Sequence, residues 1–224
     1  MKNTTLFIGG THGDEPIGVR VLEELSKERL DFDWLIGNEP ALQQNTREFE
    51  GNLNRSAPGD KNSSLYAPRR AAEIIEIAKN YQYTIDLHGT ATPSGIFLII
   101  TNPKEENLRL ASWLSVSRVV IWPSFSPELK GPLSEYFSCG LEIECGSKDD
   151  PRTARQLKEI LKKFLNNEQP EQKQKIFEVY GSLKNSEHRK LEDFQLTTTA
   201  GETFYPLLVG AYPGLVCYKM RRLK

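Results

Sequence analysis

Cysteine is scarce in this chain: Cys139, Cys145 and Cys217 are the only three among 224 residues. The number is odd and the spacings offer no paired thiolates. Both facts argue against a disulfide scaffold and against a cysteine-type zinc site. Reduced thiols in a cytoplasmic protein are the expectation instead. A charge excess of either sign is also lacking. The net charge of -1 leaves no electrostatic footprint for nucleic acid or an anionic membrane as partner. Long apolar runs are missing too. Leu6-Phe7-Ile8 is too short for the core of a secretory leader, and no stretch approaches the ~20 residues of a membrane span. Repeats and low-complexity tracts are absent. What remains has ordinary apolar and charged content, 38% and 26%. Its length suits one domain with or without a small appendage.

Apolar periodicity gives the elements. Thr4 to Ile8 reads as a buried strand. A helix follows from Pro16, with Ile17, Val21 and Leu25 repeating every four residues and Leu22 alongside. Phe32 to Ile36 is a second strand, closed by the turn chemistry of Gly37-Asn38-Glu39-Pro40. Ala41 to Ser64 is polar without period and reads as a long functional loop. Pro68 opens a second helix through Ala71, Ile75 and Ala78. Strands are predicted at Tyr83–Leu87, Gly95–Ile100, Val119–Trp122 and Gly140–Glu144. Helices are predicted at Glu105–Leu114 and Arg152–Phe164. After a polar boundary near Asn166 to Lys175, short strands appear at Ile176–Tyr180, Phe204–Val209 and Leu215–Tyr218 without a strong helix. The expectation is an α/β domain over 1–168 and a small β-rich piece over 169–224.

Three polar groups sit just past apolar strands, where ligands of open α/β sheets bind. His12 and Glu15 lie in the glycine-rich Gly9-Gly10-Thr11-His12-Gly13-Asp14-Glu15, His88 lies in Asp86-Leu87-His88-Gly89, and Glu144 ends Leu141-Glu142-Ile143-Glu144. Two imidazoles and a carboxylate can hold a borderline metal such as zinc and leave a position open for chemistry. Asp86, two residues before His88 on the same strand face, is placed to orient it. Glu142 and Glu144 also share a face, and one of them near a metal is a candidate general base. Arg47, Asn54 and Arg55 in the polar loop are candidates for carboxylate binding or oxyanion stabilisation. The plainer readings are a helix N-terminus decorated by Asp14 and Glu15, an ordinary strand-end histidine and a solvated acidic edge. A phosphate loop is disfavoured, since the glycines lack both the Lys-Ser/Thr ending and the dinucleotide spacing.

Taken together, Gly10-Thr11-His12-Gly13-Asp14-Glu15, Thr46-Arg47-Glu48-Phe49 leading to Asn52-Leu53-Asn54-Arg55, Asp86-Leu87-His88-Gly89 and Ile143-Glu144-Cys145-Gly146 resemble the aspartoacylase and succinylglutamate desuccinylase family. That family is a branch of the zinc carboxypeptidase-like fold, and the likeness runs from about Leu6 to about Phe164. It implies a mixed sheet flanked by helices, with a small C-terminal β-rich domain. It implies one zinc ion per subunit on His12, Glu15 and His88, Glu144 as general base and then proton donor, and Arg47 holding the oxyanion. Asn54 and Arg55 would clamp the substrate's carboxylate, and Tyr212 would be lent by the C-terminal region. Members acting on acylated acidic amino acids carry a further arginine about ten residues before the base. That position here is Ser134, with Lys130 nearby, so the acyl group and the amino acid stay open. The expected activity is a zinc-dependent amidohydrolase, a deacylase, acting on a small N-acyl amino acid. A metallocarboxypeptidase acting on peptides and a non-catalytic zinc or small-ligand binding protein are the alternatives, and homo-oligomerisation is left open.

Overall fold

A computed structural model describes residues 4–28, 32–124, 131–170, 172–184, 191–199 and 201–223. Among the described residues there are ten strands: β1 Thr5–Gly9, β2 Asp33–Ile36, β3 Tyr83–Thr90, β4 Ile96–Ile100, β5 Arg118–Ile121, β6 Gly140–Gly146, β7 Lys175–Leu183, β8 Thr197–Thr199, β9 Glu202–Leu207 and β10 Cys217–Arg222. The helices are α1 Ile17–Lys27, α2 Glu39–Gln44, α3 Tyr66–Ala78, α4 Glu105–Ser112 and α5 Pro151–Leu165. The strands form one mixed sheet in the order β2-β1-β3-β6-β4-β5-β7-β10-β9-β8. Neighbours from β2 to β6 are parallel, β4 runs antiparallel to β6, and β7 joins β5 in parallel. The stretch after 168 therefore continues the same sheet, through antiparallel β10, β9 and β8.

Alternation along the strands decides what lies where. Phe7, Ile85, Leu141, Ile143, Leu98 and Ile100 point to one face and pack with Ile17, Val21, Leu22 and Leu25 of α1, Leu110 of α4 and Leu157, Leu161 and Phe164 of α5. On the other face, Leu6 and Ile8 pack with Leu53, Ala71, Ile74 and Leu133. Further along that face, Phe97, Ile99 and Val120 pack with Phe177, Val179, Leu207 and Met220. Between these two apolar patches run Asp86 and His88 of β3 and Glu142 and Glu144 of β6. Register pairs Asp86 with Glu142 and His88 with Glu144. The polar residues thus occupy a gap between two hydrophobic cores, on the face opposite the largest one.

Several boundaries differ from the sequence reading. β3 continues through His88 to Thr90, because pairing of Gly89 with Cys145 and Thr90 with Gly146 carries the ladder past the glycine. The supposed turn at Asn38 is the start of α2: its side chain accepts from the Ala41 N–H at 3.2 Å and caps the helix. Six residues are too few to show a helical repeat in sequence. A 3₁₀ turn at Leu53–Arg55 is pinned by buried Leu53, and a second lies at Leu133–Tyr136. α3 starts at Tyr66, two residues before Pro68, and Ile74 rather than Ile75 is fully buried on it. Among the described residues no helix is long and apolar enough to cross a membrane. All three cysteines are buried and free of disulfides.

Candidate active site

The loop after β1 is shaped by close approach. Gly10 takes φ +69°, and a Cβ on Gly13 would lie 2.1 Å from the backbone of Ala41, so only glycine lets this loop lie against α2. The loop delivers His12 and Glu15, and β3 delivers His88 beside them. Ligand atoms of the three lie within 4.8 Å of one another, all buried. Glu15 Oε2 accepts from the Gly89 N–H at 3.0 Å and lies 3.3 Å from His88 Nδ1. The other ring nitrogen, His88 Nε2, is 3.0 Å from Asp86 Oδ2, and Asp86 also accepts from the Thr11 hydroxyl at 2.8 Å. Asp86 thus fixes the ring so that Nδ1 faces Glu15, the contact expected of a residue that orients a ligand.

Arg47 reaches in from the polar loop. Its Nη1 donates to Glu15 Oε1 at 2.7 Å, and its Nη2 lies 3.0 Å from His12 Nε2. His12 Nδ1 is buried without a hydrogen-bond partner. Such an atom is costly unless something else takes it up. The donor set fits a borderline cation on this observation: one orphaned imidazole nitrogen, a second imidazole nitrogen and a carboxylate oxygen converge. Burial lowers the His12 pKa to about 3, which keeps the ring in the neutral, ligating form. Burial works to raise the Glu15 carboxyl, but its bond to His88 and the charges of His12, His88 and Arg47 outweigh it and hold it at about 2. For His88, burial is outweighed by the charge and hydrogen bond of Asp86 and by Glu15, and its pKa stands well above the ordinary value. A cation would compete with that proton.

Glu144 is pushed up to about 8, first by burial and then by the negative charge of Glu15, with His88 opposing. Tyr212 is raised by burial and by Glu144, so its hydroxyl keeps the proton. His12, Glu15, Arg47, Asn54, Arg55, His88, Glu144 and Tyr212 all line one cavity of about 210 Å³. Asn54 is fixed there, its Oδ1 accepting from the Leu133 N–H at 3.0 Å. Arg55 Nη1 donates to the Asn54 carbonyl at 2.5 Å.

Further groups line the cavity wall. Lys148 donates to the Asp14 carbonyl at 2.6 Å and to its carboxylate at 3.3 Å, tying the loop after β6 to the His12 loop. Thr101 and Trp122 follow β4 and β5, and Glu142 stands one alternation before Glu144. Only the Glu142/Glu144 alternation was visible beforehand; the others reach the wall through strand pairing. Ser134 is buried and donates to Glu142 Oε1 at 2.7 Å. Lys130 lies outside the described residues.

The succinylglutamate desuccinylase/aspartoacylase catalytic domain model matches residues 2–168. A probable aspartoacylase of Prochlorococcus marinus subsp. pastoris is 27% identical over 155 residues, covering 63% of this chain and 52% of that protein. A probable aspartoacylase of Acaryochloris marina is 28% identical over 160 residues, covering 63% and 54%. The chain spans about half the length of the curated relatives it matches. Murine aminoacylase 3 superposes with a TM-score of 0.78 at 18% identity, covering 100% of this chain and 96% of the other. Succinylglutamate desuccinylase from Chromobacterium violaceum gives 0.75 at 19%, covering 100% and 85%. At these identities the solved structures speak for the fold alone.

Proposed function

The chain belongs to the succinylglutamate desuccinylase/aspartoacylase catalytic-domain family, and from that premise we propose that it hydrolyses the amide bond of a small N-acyl amino acid, with one zinc ion per subunit. The observation that carries this reading is the buried convergence of His12, Glu15 and His88, with Glu144 paired in register beside His88. Zinc held by His12 Nδ1, Glu15 and His88 Nδ1 would supply the Lewis acid that makes water nucleophilic at neutral pH and polarises a carbonyl.

The chain's own groups do the rest. Glu144 takes the proton of the attacking water on a carboxylate oxygen and later gives it to the leaving amine nitrogen. Its raised pKa suits the second half of that task. Arg47 donates to the carbonyl oxygen as that atom gathers negative charge. A guanidinium has five N–H groups, so the contacts to Glu15 and His12 leave donors over. Asn54 and Arg55 bind the substrate's carboxylate. The Asn54 side-chain oxygen Oδ1 accepts from the Leu133 N–H, which leaves its side-chain NH₂ to donate. Tyr212, holding its proton, is a further donor.

A small substrate is favoured over a peptide because Leu208, Ala211 and Tyr212 of the C-terminal stretch line the same cavity as the metal candidates. Three buried free cysteines support a reducing compartment, the cytoplasm. Amine release from N-acyl amino acids, assayed with added zinc and after chelation, tests the reading. Turnover that chelation abolishes is expected; turnover that survives complete removal of metal overturns it.

A further inference from the structure

One carboxylate on the cavity wall has no part in that chemistry. Glu142 is 6% exposed. Its Oε1 accepts from Ser134 Oγ at 2.7 Å, and Ser134 Oγ is in turn 3.2 Å from Thr101 Oγ1. Among the described residues its Oε2 receives no hydrogen bond and Glu142 forms no ion pair. Glu142 lines the cavity, and a carboxylate oxygen that no protein group pairs there is an acceptor open to a donor on a ligand.

The surroundings say where that ligand group would sit. Asp86 and Ile99 flank Glu142 on the neighbouring strands. Ile99 pairs with Val120, so Thr101 and Trp122, each two residues further on, lie on the same sheet face by alternation. All but Asp86 and Val120 line the cavity. Leu133, whose N–H holds Asn54, directly precedes Ser134, which holds Glu142. Consecutive residues thus hold Glu142 and the group assigned above to the substrate's carboxylate, and both side chains line the one cavity. In a small amino acid, the neighbour of the carboxylate is the side chain.

We propose that Glu142, positioned by Ser134, selects an amino-acid side chain that donates hydrogen bonds, an ammonium or a carboxamide, and rejects a carboxylate side chain. The inference rests on the N-acyl amino acid reading and names its substrate class. An acidic side chain here would meet the like charge of Glu142, and such sites discriminate by repulsion as much as by attraction. Ile99 beside it accommodates the methylene stem.

The test uses the zinc-loaded full chain and N-acetyl derivatives of lysine, ornithine, glutamine, glutamate and aspartate. Both amine release and dissociation constants by calorimetry are read. The amide and ammonium arms separate the two donor chemistries. At least one should exceed the acidic compounds in kcat/KM by about 100-fold. Glu142→Gln keeps the shape and the bond from Ser134, and it should narrow that gap to about tenfold or less, chiefly through KM for the acidic compounds. A melting curve of the variant shows whether it is folded. If it is not, the wild-type binding series decides alone. No turnover with a retained binding preference for donor side chains would sink the hydrolase reading and leave this one standing. An acidic preference, equal binding across the panel, or no binding by any compound overturns it.

Discussion

The two faces of β6 differ by a single step along the chain. Leu141, Ile143 and Cys145 enter the largest apolar cluster under α1, α4 and α5. Glu142 and Glu144, between them, enter the polar gap on the other face. The same holds for β3, where Ile85 and Leu87 are core and Asp86 and His88 are site. Stability and chemistry are thus interleaved residue by residue rather than divided between regions. A rigid, closely packed face holds a row of charged groups in place on its reverse. A one-residue slip would exchange the two.

Substitutions of neighbouring residues should separate the two functions. The largest effect is expected from Glu144→Gln, which removes the proposed proton carrier and adds no volume. Turnover should fall by about a thousandfold or more, while zinc content, measured after dialysis, stays near wild type. Ile143→Ala, one residue away, should do the reverse. It opens a cavity in a fully buried position and should cost about 2–5 kcal/mol in denaturant unfolding, with kcat per folded molecule little changed. Equal loss of activity in both variants would break the comparison. The smallest of the three effects is expected from Asp86→Asn, which weakens the hold on His88 Nε2. Zinc affinity, read by competition with a chromogenic chelator, should drop about 10- to 100-fold. An unchanged affinity would mean that Asp86 serves packing alone.

Much of this was legible in sequence, for identifiable reasons. α1 announced itself because Ile17, Val21 and Leu25 repeat at helical spacing over a full eleven residues. His12, Glu15, His88 and Glu144 were visible because each follows an apolar run and so had to emerge at one edge of a sheet. α2 and β8 were not seen: one has six residues and the other is three threonines, and neither carries a period. The end of β3 was placed too early because Gly89 has the look of a turn, whereas parallel pairing with β6 decided it. Ser134 could be noticed as a serine, but not that its hydroxyl is spent on Glu142. Thr101, Trp122 and Lys148 join the cavity only through pairings between residues far apart in the chain, which no local pattern encodes.

We propose the polar gap between the two smaller cores as a metal-dependent amide-hydrolysing centre. Amine release from the N-acyl amino acid panel, run with zinc and again after chelation and zinc restoration, tests it most directly. Turnover should disappear on chelation and return with zinc. Release that persists without metal, or none from any compound in fully zinc-loaded protein, would contradict it.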